Sequence, residues 1–338
     1  MTPAIFGIAG PALSADERDF FRDARPAGYI LFGRNCETRE QLRALTDSLR
    51  NLHGCDRLLI SIDQEGGRVA RMRPPEWSQF PAGEIFDNLY QIAPASAIEA
   101  ARVNSEAMGL ELAEAGITVD YHAPFDVRRP ETDAAIGDRA LGSTPMQVAA
   151  LGRAVLDGLA RSGVIGCLKH MPGHGRATAD SHYDLPVVDA SAADLEADIE
   201  PFRALSGAAI GMSAHIRYTA WDADNPATLS PFVIDEIIRG KIGFDGLLLT
   251  DDIDMQALNG TVPERAVLAL AAGCDIVLNC WAKIADMEGI VRSCPQISAR
   301  ARERLDAAMN SVSAAEPSDI GELLAKRDAL LAAAGVSA

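Results

Sequence analysis

The sequence has no Cys-x-x-Cys pair, no long apolar run, and too few basic residues to balance its acids. Several of its six cysteines (Cys36, Cys55, Cys167, Cys274, Cys280, Cys294) sit in apolar runs, where a free thiol packs as a small hydrophobe. A disulfide scaffold is therefore not expected in a chain of 338 residues, and a reducing, cytoplasmic setting is. No apolar stretch reaches the ~18 residues of a membrane span. The opening MTPAIFGIAG has no basic leader and is broken by Pro and Gly, so no secretory signal is expected. Against 48 Asp and Glu stand only 31 Lys and Arg, a formal net charge of −17. Such a surface repels phosphate backbones and anionic lipid, so neither nucleic acid nor a membrane is an expected partner.

What is present is an alternation of short apolar runs with helical segments. The expected strands are Ala4–Ala9, Gly28–Phe32, Leu58–Asp63, Thr118–Ala123, Val164–His170, Ala209–His215, Gly246–Asp251 and Asp275–Asn279. Near-continuous apolar runs of this length suit a parallel sheet covered on both faces. Between them the clearest helix is Thr38–His53, where Thr38 and Gln41 read as a capping box and Leu42, Leu45, Leu49 and Leu52 form one stripe. Further helices are expected over 15–24, 97–115, 145–162, 192–205, 231–239 and 263–272. Eight strands with intervening helices favour a closed α/β fold, a (β/α)8 TIM-type barrel, over an open sheet. The expectation is one domain over 1–338, with its core at 5–290 and an Ala-rich helical extension at 297–338 packing outside the barrel.

In such a barrel, chemistry sits where strands end and loops begin. Strand three runs into Asp63-Gln64-Glu65-Gly66-Gly67-Arg68, strand five into Lys169-His170-Met171-Pro172-Gly173-His174-Gly175, strand six into Ala214-His215, and strand seven into Thr250-Asp251-Asp252. Charges straight after apolar runs are costly unless they face a polar cavity. One such end is easily a strand reaching water; four with complementary acids and bases point to a site. His170, His174, His182 and His215 fall in this set, whereas His53 reads as a helix-end cap and His122 fits either role. His170 and His174 have a ligand-like spacing, but Pro172 and Gly173 break the helix that would align them, so no metal is expected. The loop glycines suggest a segment able to move over a substrate. Asp180 and His182, two apart, point the same way in an extended segment. The carboxylate can then orient the imidazole and favour its protonated form, as a general acid requires. By spacing alone, a solvated histidine beside a turn aspartate is the commoner arrangement.

Six motifs occur in one order: Asp-Gln-Glu-Gly-Gly-Arg-Val (63–69), Ile-Gly-Asp-Arg (136–139), Lys-His-Met-Pro-Gly-His-Gly (169–175), Asp-Ser-His (180–182), Met-Ser-Ala-His (212–215) and Thr-Asp-Asp-Ile-Asp-Met (250–255). Over residues 5–290 this closely resembles glycoside hydrolase family 3, in its short bacterial β-N-acetylglucosaminidases of NagZ type. The run from Lys169 to His182 is the specific part. The resemblance implies the same barrel and a retaining hydrolysis through a covalent glycosyl-enzyme, with no metal or organic cofactor. It puts the nucleophile on Asp251 and the general acid/base on His182, with Asp180 as partner. It implies sugar binding by Asp63, Arg71, Arg139, Lys169 and His170, with His215 and Met255 lining the pocket. The implied substrate is N-acetylglucosaminyl-β-1,4-anhydro-N-acetylmuramic acid, free or carrying peptide, in peptidoglycan recycling. A monomer or weak homodimer is expected.

The alternatives are a β-N-acetylglucosaminide phosphorylase, a metal-dependent barrel hydrolase built on His170, His174 and Asp251, and a non-catalytic sugar-binding barrel. The last gives no reason for Asp180, His182 and Asp251 to be present together. Two positions depart from the family pattern. Met171 stands where an aromatic is common, and Asp254 where a small polar residue is frequent. Negative charge at Asp254 is expected to raise the pKa of Asp251 and move the pH optimum upward.

Overall fold

The computed structural model describes residues 1–338 except Ala123, Ser313, Glu316 and Ala338. Eight parallel strands are hydrogen-bonded in chain order: β1 (Thr2–Gly7), β2 (Pro26–Leu31), β3 (Leu59–Ile62), β4 (Val119–Asp120), β5 (Ile165–Met171), β6 (Ile210–Ser213), β7 (Leu247–Asp252) and β8 (Ile276–Asn279). Pairing of β8 with β1 closes the barrel, as the strand count predicts. β1 begins two residues earlier than expected. β4 is shorter than the expected Thr118–Ala123, although the Tyr121 N–H still reaches the Ile62 carbonyl at 2.9 Å. Ala123 lies outside the described residues.

Side chains alternate across each strand, so every second residue faces the barrel axis. Ile5, Ile30, Leu59, Tyr121, Cys167, Met212, Leu249 and Leu278 form one buried cluster inside. Their neighbours Phe6, Leu31, Ile60, Leu168, Leu248 and Val277 join the larger cluster between the strands and the outer helices. This double burial is why the strands read as continuous apolar runs.

The helices are α1 (Ala15–Ala24), α2 (Arg39–His53), α3 (Gly83–Ile92), α4 (Pro94–Glu114), α5 (Pro145–Arg161), α6 (Glu196–Ala204), α7 (Val262–Ala272), α8 (Ile284–Ser293), α9 (Ala299–Met309) and α10 (Ile320–Ala333). Residues Val233–Lys241 are wound as a π-helix where an α-helix over 231–239 is expected. In α2 the Thr38 hydroxyl accepts from the Gln41 N–H (3.2 Å). Gln41 returns a bond to the Glu37 N–H (2.9 Å), one residue short of the box the spacing predicts. Leu42, Leu45 and Leu49 are buried. His53 does not cap its helix: Gly54 ends it in the left-handed region, and His53 Nε2 bonds the Tyr29 hydroxyl at 2.6 Å. Helix α3 escapes sequence reading because its N-cap, Ala82, makes no side-chain bond.

Only part of the C-terminal extension lies outside the barrel. Leu305, Ala308 and Met309 of α9 join the axial cluster, so α9 closes the end where the strands begin. Helix α10 packs on α4, with Arg327 Nη1 on Asn104 Oδ1 at 3.1 Å. Among the described residues no helix is long and apolar enough to cross a membrane. Leu49, fully buried between α2 and the strands, offers a check on this packing. Leu49→Ala is expected to cost about 2–5 kcal/mol in urea unfolding; a cost under about 1 kcal/mol would mean α2 is not seated as described.

Candidate active site

One alternation beyond Ser61, Cys167 and Leu249 come Asp63, Lys169 and Asp251, and all three line a cleft of about 520 Å³ at the strand ends. Tyr121 and Met212 form part of its floor and Phe32, Met255 and Trp281 part of its wall. Charge here stands directly on hydrocarbon, and it is compensated within the floor. Glu65 receives Arg139 on both oxygens (2.7 and 2.8 Å) and Lys169 Nζ at 2.5 Å. Asp63 receives Lys169 at 3.3 Å and Arg71 at 3.2 Å. Burial opposes the charge on Glu65, but Arg139 and Lys169 outweigh it and hold its carboxyl far below the glutamate range. The same exchange raises Lys169 against its own burial.

The turn after β3 explains its glycines. Gly66 has φ +92°, and a Cβ there would fall 2.2 Å from the Pro81 carbonyl oxygen. Gln64 accepts from the N–H groups of Arg71 (2.8 Å) and Met72 (3.1 Å), fixing the backbone that carries Arg71 to Asp63.

The Lys169–His170 peptide bond is cis, and both side chains line the cleft. His170 Nδ1 lies 2.8 Å from Asp126 Oδ2, while Asp126 Oδ1 accepts the His174 N–H at 2.6 Å. Burial drives the His174 pKa down to about 4, and its ring sits edge-on to His170 with centroids 5.5 Å apart. Among the described residues no three His, Cys, Asp or Glu side chains are grouped to hold a metal ion.

Asp251 ends an apolar strand, so burial works against its charge. The fields of His170 and His215, a bond from the Asp252 N–H (2.8 Å) and the field of His182 reverse this and hold its carboxyl below the aspartate range. The expected lift from Asp254 does not occur. Asp254 Oδ2 accepts from Asn279 Nδ2 (2.8 Å), the Cys280 N–H (3.0 Å) and the Trp281 N–H (3.2 Å). Burial, followed by the charge of Asp254, instead pushes Asp252 well above the carboxylate range.

His182 and Asp180 meet on a loop tip. Asp180 Oδ1 accepts the His182 N–H at 2.9 Å and lies 2.6 Å from Nδ1, leaving Nε2 for a substrate. Burial opposes ionisation of Asp180, but these two bonds hold its pKa below the usual range. The histidine side chain is 64% exposed. The base of the loop is not built for motion in the way its glycines suggest. A Cβ on Gly175 would fall 1.9 Å from the Val127 carbonyl oxygen, and the Tyr218 hydroxyl donates to the Gly173 carbonyl at 2.8 Å. These glycines allow close packing.

Asp63, Arg71, Arg139, Lys169, His170, Asp180, His182, Asp251 and Met255 thus share one cleft. His215 does not line it, contrary to the expectation. It stands three residues beyond Met212, on the opposite parity, and is wholly buried with Nδ1 on Thr228 (2.8 Å) and Nε2 on the Asp252 carbonyl (2.9 Å). It supports the backbone of β7 from behind. His122 is also buried away from the cleft, and burial lowers its pKa to about 4. Sequence reading gave no role to Glu65, Asp126 or Trp281. For Glu65 the signal was present, two residues beyond Asp63 in the same motif.

The model of the glycosyl hydrolase family 3 N-terminal domain matches residues 6–314. A protein named beta-hexosaminidase from Aromatoleum aromaticum is 35% identical over 93% of this chain and 89% of its own length. Another beta-hexosaminidase, from Tolumonas auensis, is 40% identical over 83% of each. The crystal structure of NagZ from Neisseria gonorrhoeae in complex with N-trifluoroacetyl-D-glucosamine superposes with a TM-score of 0.88 at 30% identity, covering 99% of this chain and 98% of that one.

The floor's ion network generates a stability prediction. Because the folded-state pKa of Glu65 is depressed, its contribution is complete above the unfolded glutamate range and fades as pH falls toward the lower folded value. Glu65→Gln, which removes the paired carboxylate of Arg139 and leaves Lys169 only the longer contact to Asp63, is expected to cost about 3–5 kcal/mol at pH 7. The gap to the wild type should narrow between about pH 5 and about pH 3. Urea unfolding across that range measures both; a gap constant with pH contradicts the assignment.

Proposed function

The chain belongs to glycosyl hydrolase family 3, and on that premise we propose that it is an exo-acting, retaining β-N-acetylglucosaminidase. Its proposed substrate is N-acetylglucosaminyl-β-1,4-anhydro-N-acetylmuramic acid, free or bearing peptide, in cytoplasmic peptidoglycan recycling. The observation that carries this reading is a single cleft holding an ionised Asp251, an Asp180–His182 pair and a hydrogen-bonding floor of Asp63, Arg139, Lys169 and His170. The relatives named beta-hexosaminidase and the likeness to a NagZ bound to a glucosamine derivative support the substrate class. Six free cysteines fit a reducing compartment.

In this mechanism the cleft, closed below by the barrel core, takes the non-reducing end of a chain. The floor charges hydrogen-bond its hydroxyls, and charge-assisted bonds of this kind are the strong ones. An Asp251 oxygen bonds to C1 as the C1–O bond to the leaving group breaks, and His182 Nε2 gives that oxygen its proton. Water then attacks C1, His182 takes back a proton, and Asp251 leaves. Positive charge spreading over the ring in each transition state is stabilised by the carboxylate beneath it. Asp180 holds the imidazole in place through its contact with Nδ1.

Asp251→Ala is expected to abolish turnover of an aryl β-N-acetylglucosaminide while the protein stays folded. A 5-fluoro glycosyl donor should label the Asp251 peptide in mass spectrometry; a label elsewhere, or none with activity intact, overturns the nucleophile. His182→Ala should lose much less on aryl glycosides with good leaving groups than on the disaccharide, because only the poor leaving group needs the proton. Equal losses on both count against the acid role. With phosphate added, the product is expected to be free sugar, not sugar 1-phosphate.

A further inference from the structure

The cleft wall carries an aromatic that the chemistry above leaves unused. Trp281 lines the cleft yet is 57% exposed. Trp77 is buried and Trp221 packs against Tyr218, so Trp281 is the tryptophan presented to the cleft.

We propose that Trp281 is the stacking platform for the sugar ring on the leaving-group side of the scissile bond. The assignment rests on the glycosidase reading, and three observations carry it. The first is place. Of the groups suited to holding hydroxyls, Asp63 follows β3 and Lys169 and His170 lie near the end of β5, while Asp251 lies at the end of β7 and Trp281 follows β8, the next strand round the barrel. A terminal sugar reaching from the β3–β5 side to Asp251 has its C1 at β7, and what hangs from C1 continues along the wall that Met255 and Trp281 form.

The second is fixation. The Asp254 carboxylate gathers three donors from residues 279–281, among them the Trp281 N–H, and Asp252 Oδ1 adds a bond from the Cys280 N–H at 3.2 Å. A surface tryptophan needs no such anchoring; a binding platform gains from it because less order is lost on binding. The third is the ring itself. Lys283 Nζ covers one face at 4.6 Å, so a sugar takes the other face of an indole whose residue is more than half exposed. The C–H face of a pyranose is apolar and slightly positive, and it meets the negative face of an indole favourably over a large, rigid area.

The test compares two substrates that share the terminal N-acetylglucosamine: its β-1,4-linked disaccharide with a second N-acetylglucosamine, and its β-azide, whose leaving group is too small to reach the indole. Trp281→Ala is expected to lower kcat/KM on the disaccharide about tenfold, mainly through KM, and to leave the azide within about twofold. Trp281→Phe, which keeps a flat ring, should recover most of the loss. An equal fall on both substrates, or no fall on the disaccharide, overturns the platform while leaving the glycosidase reading intact. A wild-type protein that turns over neither substrate overturns both.

Discussion

A layer of charge rests on a layer of hydrocarbon at the mouth of this barrel, and the alternation of side chains along parallel strands puts it there. Ser61, Cys167 and Leu249 close the top of the axial core, and the next inward position on each strand is Asp63, Lys169 or Asp251. The groups cannot turn away without moving the strands. Such a layer survives only if its charges are matched, because an isolated buried ion costs several kcal/mol. Glu65 does the matching: it ties Lys169 and Arg139 together, and Asp63 pairs with both Lys169 and Arg71. The result is a rigid, polar floor whose donors and acceptors are already oriented before any sugar arrives.

That arrangement separates two electrostatic tasks. On one side, cations and carboxylates pair with each other, so the floor presents hydrogen bonds and little net field. On the other, Asp251 has no direct ion-pair partner among the described residues; against its burial, the fields of His170 and His215 and a bond from the Asp252 N–H hold its carboxyl below the aspartate range. A carboxylate held by fields rather than by a salt bridge remains available to bond carbon, which a paired one does not. His182 sits on an exposed loop tip, its ring beside the Asp180 carboxylate and its carbonyl accepting from the Gln256 N–H. His182 is thus more open to solvent than Asp251, which is part-buried at the end of β7.

Much of this was legible in the chain because strand periodicity is a local property. Eight apolar runs gave the barrel, and polar residues just past them gave Asp63, Lys169 and Asp251. The same parity, carried one strand further, excludes His215, which stands an odd number of residues beyond Met212. Motif order alone did not separate it from the cleft residues. Asp126 was illegible for another reason: its partners His170 and His174 are more than forty positions away, and no local pattern reports that contact. Glycine serves both freedom and close approach, and at Gly175 the neighbouring Val127 carbonyl shows the second, which no local pattern in the sequence reports. Helix α9 was expected outside the barrel, but an Ala-rich helix shows little in its sequence of which surface it will close.

Asp254 shows how a departure from a family pattern changes meaning once its hydrogen bonds are known. As a bare charge three residues from Asp251 it ought to disfavour a second anion nearby. With three donors from residues 279–281 converging on one oxygen, its charge is largely spent on the β8 loop, and what remains acts on Asp252. Asp254 therefore shapes the cleft rim, while the pKa of Asp251 answers to burial, His170, His215 and the Asp252 N–H.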